Sequence, residues 1–227
     1  MTTQDFLTAL DDCIAQYDLL CHPYYKAWSA GELTSDDLRE YATDYYHHVA
    51  AFPAYLSALH SRMPDGPARR SLLHNLCEEE IQGRPHSELW LDFAEGMGAG
   101  RESVRDRVPA AAVQELIDEF RETARSRTTA EALAAFYAYE SQIPRIAREK
   151  AQGLAERYGA NKQTTAYFRL HQFADVEHSR VWRDLLSQEV EAHPEHAEGA
   201  LAQAERVARS LWRVLDAMEA RRLAAVS

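Results

Sequence analysis

The sequence predicts an all-α protein, one helical domain over residues 1–227. Three observations carry that reading. Nearly every segment repeats its apolar residues at helical period, and no stretch alternates convincingly as a strand. The segments are separated by prolines, glycines and hydroxyl caps. No internal repeat is present, and no linker is long enough to divide the chain.

Thr2 or Thr3 caps a first helix that is expected to run through about Leu20, with Phe6, Leu10 and Ile14 on its apolar stripe. His22-Pro23 breaks it, and Pro23 starts a short helix carrying Tyr24, Tyr25 and Trp28, which Gly31 ends. Thr34 or Ser35 caps a long third helix, with Asp36 and Asp37 well placed in its first turn. Its stripe is Leu38, Tyr41, Tyr45, His48 and Phe52, and Pro53 is expected to kink it. After the turn at residues 63–67, a helix from about Ala68 carries Leu72, Leu76, Glu79, Gly83 and His86, interrupted at Gly83 and Pro85. Trp90 and Phe93 resume the apolar face. The run GMGAG at 96–100 reads as a loop; it joins no strand to a helix, so it has no phosphate-binding role.

Pro109 opens the next helix, to about Arg127. Thr128 or Thr129 caps a long one expected to reach Tyr158, bent by Pro144, with the stripe Leu133, Phe136, Glu140, Ile143, Ala147, Lys150 and Leu154. Tyr167 to Leu185 contains no Gly or Pro and reads as uninterrupted helix. HPEH at 193–196 is a polar loop with no expected metal. Val207, Leu211, Leu215 and Met218 mark an amphipathic closing helix.

The chain is long enough to bury a large core. Its formal net charge of -11 argues against a nucleic-acid or anionic-membrane surface, which would need a basic patch. Three cysteines, Cys13, Cys21 and Cys77, lack CxxC spacing and read as free thiols in a reducing compartment. No basic-then-apolar segment opens the chain and no apolar run is long enough for a bilayer. The expectation is a cytoplasmic protein with neither nucleic-acid nor membrane partners.

One anomaly recurs on three helices: acids or histidines stand where the buried stripe should be aliphatic. His171, Asp175 and His178 sit at i, i+4 and i+7 and so point from one helical face. Glu79 and His86 do the same on an earlier helix, and Glu140 on a third. Three glutamates adjoin at 78–80, and periodicity favours Glu79. Burying such groups without partners is costly. A solvated face or a satisfied core hydrogen-bond cluster would also explain any one of them. Together, three carboxylates and three imidazoles suit two divalent transition-metal ions with positions open to oxygen. The ferritin-like version needs two Glu-x-x-His motifs; this chain has none, only Asp175-x-x-His178.

Eleven tyrosines are a second anomaly. Tyr41 lies on the third-helix stripe, Tyr167 one turn before His171, Tyr139 beside Glu140, and Tyr25 in the short helix before Gly31. Each reads either as an amphipathic core tyrosine with a bonded hydroxyl or as a redox-active group near an oxidising centre. Lys150 reads either as a side chain reaching from the core edge to solvent or as a desolvated, neutral amine available for chemistry.

The stretches HPYYKAW, GELTSDDLREYATDYYHHVAAFPAYLSALHSR, NLCEEEIQGRPHSELW, YAYESQIPRIAREK and HQFADVEHSRVW resemble the haem-oxygenase-like di-metal oxidases. Within them the chain is similar to the CADD-type (chlamydia protein associating with death domains) para-aminobenzoate synthases, from about Leu20 to Leu186. The Glu-x6-His, the Glu of YES, and the His-x3-Asp-x2-His pattern occur in order, and all six ligand positions hold the family's residue types. The CEEE run departs from the family's more mixed sequence and leaves the choice among adjacent glutamates open.

The resemblance implies a seven-helix haem-oxygenase-like (TenA/PqqC-like) bundle and a homodimer. It implies two metal ions, Fe/Fe or Mn/Fe, held by Glu79, His86, Glu140, His171, Asp175 and His178. It further implies self-sacrifice: with O2 and an external reductant, Tyr25 supplies the ring of para-aminobenzoate and Lys150 its nitrogen, with Tyr41 as helper and Tyr139 and Tyr167 nearby. Two other readings remain. One is a di-iron oxygenase of the same fold acting on an external amino-acid-like or aliphatic substrate. The other is a cofactorless PqqC-like oxidase, which gives no reason for six ligands.

Overall fold

Threonine hydroxyls start three of the helices in the computed structural model, which describes residues 1–226. Thr2, Thr34 and Thr128 each accept from the backbone amide three residues on, and the acid there (Asp5, Asp37, Glu131) bonds back to the cap's own amide. These boxes open α1 (Thr3–Ala15), α3 (Ser35–Arg62) and α8 (Thr129–Glu140). Between them lie α2 (Pro23–Ala30), α4 (Pro67–Glu80), α5 (His86–Gly96), α6 (Arg101–Asp106) and α7 (Ala111–Ser126). The chain continues with α9 (Ile143–Arg157), α10 (Ala166–Ala192) and α11 (Ala197–Val226). No strand occurs among the described residues, so the all-α expectation holds. No helix among them is long and apolar enough to cross a membrane. The three cysteines are free.

Eleven α-helices stand among the described residues where the resemblance implies seven, because local chemistry cuts several runs short. The first helix stops at Ala15 rather than Leu20; residues Leu19–Cys21 form a 3₁₀ turn. Asp18 accepts from the Leu20 amide at 3.1 Å, and Gln142 accepts from the Leu19 amide at 3.0 Å, which draws this turn onto the end of α8. The expected helix from Thr128 to Tyr158 is two helices. Pro144 at the start of α9 has no amide to donate, and its ring would clash with the carbonyl at position 140, so α8 ends at Glu140. Pro53 lies within α3, which continues to Arg62. Downstream of GMGAG a short helix, α6, forms that periodicity does not announce, and HPEH folds as a 3₁₀ turn.

α8 is the central element. Every residue from Ala132 to Glu140 is buried, as expected for a helix covered on all sides. Its five alanines let α10 and α11 approach its backbone closely. α3 packs on α4, α5 and α7, and α9 packs on α10 and α2. A single apolar cluster runs from Phe6 to Met218 through all of these helices.

The α2–α9 contact is tight because residue 153 is glycine: a Cβ there would come within 3.1 Å of the Trp28 ring. Lys150 lies one turn earlier on the same helix. Gly153→Val should therefore force α9 away from α2 and destabilise the fold by about 1–3 kcal/mol. Chemical denaturation would check this; unchanged stability would show the contact to be slack.

Candidate metal centre

α10 carries His171, Asp175 and His178 on its inner face, facing the end of α4, the start of α5 and the end of α8. Those helix ends deliver Glu79, His86 and Glu140. All six side chains are buried, with 2–5 % exposure. They fall into two groups, Glu79–His86–His171 and Glu140–Asp175–His178, and within each group the donor atoms lie within 4.8 Å of one another. Four helices thus converge, and the six sequence-predicted residues stand together in the two groups.

His86 Nδ1 lies 2.9 Å from Glu79 Oε2, and the His86 and His171 ring centroids are 4.6 Å apart. His171 Nδ1 donates to the Tyr167 carbonyl at 2.8 Å, which leaves its Nε2 as the free donor toward the centre. His178 Nδ1 lies 3.1 Å from Asp175 and 3.9 Å from Glu140. Glu140 also accepts from the indole N–H of Trp182. The opposite nitrogen of His178, Nε2, is 2.8 Å from Glu78.

The electrostatics of the cluster are those of a site that needs positive charge. Burial holds the Glu140 carboxyl well above the usual range, and burial raises Asp175 to about 6. Burial also drives His171 well below its ordinary value, and the neighbouring His86 adds to that. Burial opposes charge on His178 as well, but its bond to Asp175 and the nearby Glu140 carboxylate prevail, and it rises to about 10. His86 Nδ1 has no hydrogen bond despite its closeness to Glu79. An orphaned ring nitrogen beside a carboxylate, repeated carboxylate–imidazole contacts and a six-donor N/O set all fit two divalent first-row ions.

A second polar cluster adjoins the first. Lys150 is buried on α9, and its Nζ donates to the Tyr25 hydroxyl at 2.7 Å and to that of Tyr41. The two hydroxyls are 3.1 Å apart. The amine stands 4.2 Å from the centre of the Tyr25 ring and 4.4 Å from that of Tyr41. Burial lowers the Lys150 pKa well below that of an ordinary lysine. Tyr139 and Tyr167 form the partition between the two clusters. They line a void of about 10 Å³ beside Glu79, Glu140, His171 and Asp175, and another of about 20 Å³ beside Tyr25, Tyr41 and Lys150.

Periodicity leaves three neighbours unassigned. Tyr45 stacks on Tyr41 at 5.5 Å and lines the void beside Lys150 together with Tyr139 and Tyr167. Glu78 reaches His178 although Glu79 occupies the stripe. Trp182 holds Glu140. His48, on the α3 stripe, joins neither metal group; burial depresses it to about 3, and neither ring nitrogen has a partner. Of the other histidines, His193 and His196 belong to no potential metal group among the described residues.

Residues 39–212 match the model of a family described as iron-containing redox enzymes. Over 213 residues the chain is 41 % identical to a Chlamydia trachomatis protein named 4-aminobenzoate synthase, covering 93 % of this chain and 91 % of that one. A Shewanella denitrificans domain with a haem-oxygenase-like fold superposes with a TM-score of 0.76 at 20 % identity, covering 96 % of this chain and 90 % of that one. A TenA homologue from Pseudomonas syringae superposes with a TM-score of 0.78 at 18 % identity, covering 95 % and 91 % respectively. At those identities the two structures establish the fold alone.

Asp175→Asn or His178→Ala should lower bound metal, measured by elemental analysis, while circular dichroism stays helical; full metal content in both variants would contradict the assignment. Metal affinity should also depend on pH. In the metal-free protein Asp175 keeps its proton to about pH 6 and His178 to about 10, so an entering cation must displace protons. Affinity should therefore rise with pH, first as pH passes about 6. Titration with a competing chelator at several pH values would measure it, and a flat profile would contradict it.

Proposed function

The chain belongs to the iron-containing redox enzymes with a haem-oxygenase-like fold, and from that premise we propose that it is an O2-dependent dinuclear-metal oxidase that makes para-aminobenzoate from its own Tyr25, with Lys150 as amino donor. The observation that carries this reading is the 2.7 Å contact between the Lys150 amine and the Tyr25 hydroxyl, one tyrosine layer from the candidate metal centre. The relative named 4-aminobenzoate synthase supports the product class.

Para-aminobenzoate has a nitrogen para to a one-carbon carboxylate. A tyrosine ring has an oxygen para to Cβ. Converting one to the other requires cleavage of the Tyr25 Cα–Cβ bond, oxidation of Cβ to the carboxylate by oxygen, loss of the phenolic oxygen as water, and transfer of the Lys150 nitrogen to that ring carbon with cleavage of the Lys150 Cε–Nζ bond. Two bound metal ions would supply oxygen activation, with electrons from an external reductant. The chain's own groups prepare the rest. Burial favours the neutral amine of Lys150, the form with a free lone pair. The Tyr41 hydroxyl beside Tyr25 fixes the amine's direction. Tyr24, Trp28 and Phe168 close the aromatic shell and exclude water.

Cavity size supports the internal substrate over an external one. The voids of about 10 and 20 Å³ hold little more than a water each, whereas pockets for free small molecules span roughly 300–1,000 Å³. A cofactorless oxidase would leave six converging buried ligands without a purpose.

Lys150→Arg should abolish product although it keeps the charge, because a guanidinium stays protonated and is no nucleophile. Tyr25→Phe should abolish it too, and both variants should still bind metal. Peptide mass analysis after one aerobic reaction should show residues 25 and 150 altered. Product in many-fold excess over protein, with both residues intact, would replace this reading by the external-substrate oxygenase.

A further inference from the structure

A metal ion must cross protein to reach six ligands this deeply buried. On one side the wall is thin. His178, Glu78 and Asn75 line a surface cavity of about 480 Å³, with His74, Arg70 and Arg180 also on its walls. His178 is the one candidate ligand that lines it, and it faces two ways. Its Nδ1 is turned to Asp175 and Glu140, while its Nε2 is 2.8 Å from Glu78 Oε2. The other oxygen of Glu78 is 3.7 Å from His74 Nε2. His74 is an exposed side chain, 67 % accessible, and Glu78 is half-buried. Imidazole, carboxylate and imidazole therefore lead in sequence from solvent to the centre.

Asn75 is a second, independent observation. It is 3 % exposed and lines the same cavity, and neither its amide oxygen nor its amide nitrogen has a partner. An unpaired buried amide is costly, and that cost is removed when the oxygen meets a cation or its hydration water. The arginines do not oppose a cation, because each is already paired. Arg70 lies 3.3 Å from Asp65, and Arg180 bonds both Glu177 and Asp184. The donors left over are of the N/O kind that first-row divalent ions accept.

We propose that this cavity is the entry port for the metal: an incoming divalent ion is captured by His74, Glu78 and the Asn75 amide oxygen and handed past His178 to the buried centre. The proposal rests on the six buried residues being a metal centre. Glu78 has two duties in it, as an outer ligand for the ion in transit and as a carboxylate that orients His178. His74 has only the first, since it touches no residue of the centre.

The test is the rate at which chelator-stripped protein takes up Co²⁺, followed anaerobically by the visible absorption of the filling site, with final stoichiometry from elemental analysis. Losing a charged or ligating group on an entry path should slow uptake about tenfold in Glu78→Gln and severalfold in His74→Ala. In His74→Ala, which touches no residue of the centre, the final metal content should match the unaltered protein. Uptake by His74→Ala at the unaltered rate would overturn the port, and a slow Glu78→Gln beside it would assign Glu78 to holding His178 alone. Unslowed uptake by Glu78→Gln would overturn it as well. If the unaltered protein takes up no Co²⁺ at all, the metal centre itself falls, and the port with it.

Discussion

Three carboxylates and three imidazoles are packed into the apolar interior of a helical bundle, and the surrounding architecture depends on reconciling them. Isolated buried charges of this kind cost several kcal/mol each. Part of that cost is met inside the protein: His171 is satisfied by the Tyr167 carbonyl, Glu140 by Trp182, and His178 by Asp175 and Glu78. What remains is a surplus of acid around an orphaned nitrogen on His86, the arrangement that a cation completes. The break between α8 and α9 serves the same end. It stops α8 at Glu140, where the partial negative charge of the helix end adds to the attraction for a cation.

The same burial prepares the second cluster. Lys150 has no carboxylate partner; its neighbours are two phenols and a shell of aromatic rings. A lysine so placed favours its neutral form, which removes the desolvation penalty and leaves a reactive amine. Two desolvated sites, one short of positive charge and one holding a neutral base, thus stand on either side of Tyr139 and Tyr167. Tyr45 packs beside them, stacked on Tyr41 and lining the same void as Tyr139 and Tyr167.

Features encoded within a few residues were legible in the sequence. The caps act through contacts three residues away, so each could be read locally to one of two adjacent residues, and the fold resolves them to Thr2, Thr34 and Thr128. The six candidate ligands stand out in the sequence because each interrupts an apolar stripe. Their pairing into two groups depends on how α4, α5, α8 and α10 cross, which no local pattern encodes. The split of the long helix at residues 141–142 was missed in part because Gln142 bonds the Leu19 amide, 123 positions away. Glu78 was hidden in a run of three glutamates, and only the packing of α4 on α10 aims it at His178. Tyr45 shares its period with core aromatics on α3, so its place on the void beside Lys150 emerged only from the fold.

The central claim is that the protein's own tyrosine becomes the product, and isotope tracing tests it most directly. Protein made with ring-labelled ¹³C tyrosine would be loaded with metal and reacted with oxygen and reductant in wholly unlabelled buffer. The account predicts para-aminobenzoate carrying the full ring label, in an amount that never exceeds a single molecule per chain. Para-aminobenzoate without the label would contradict it, since the ring would then have come from outside the protein.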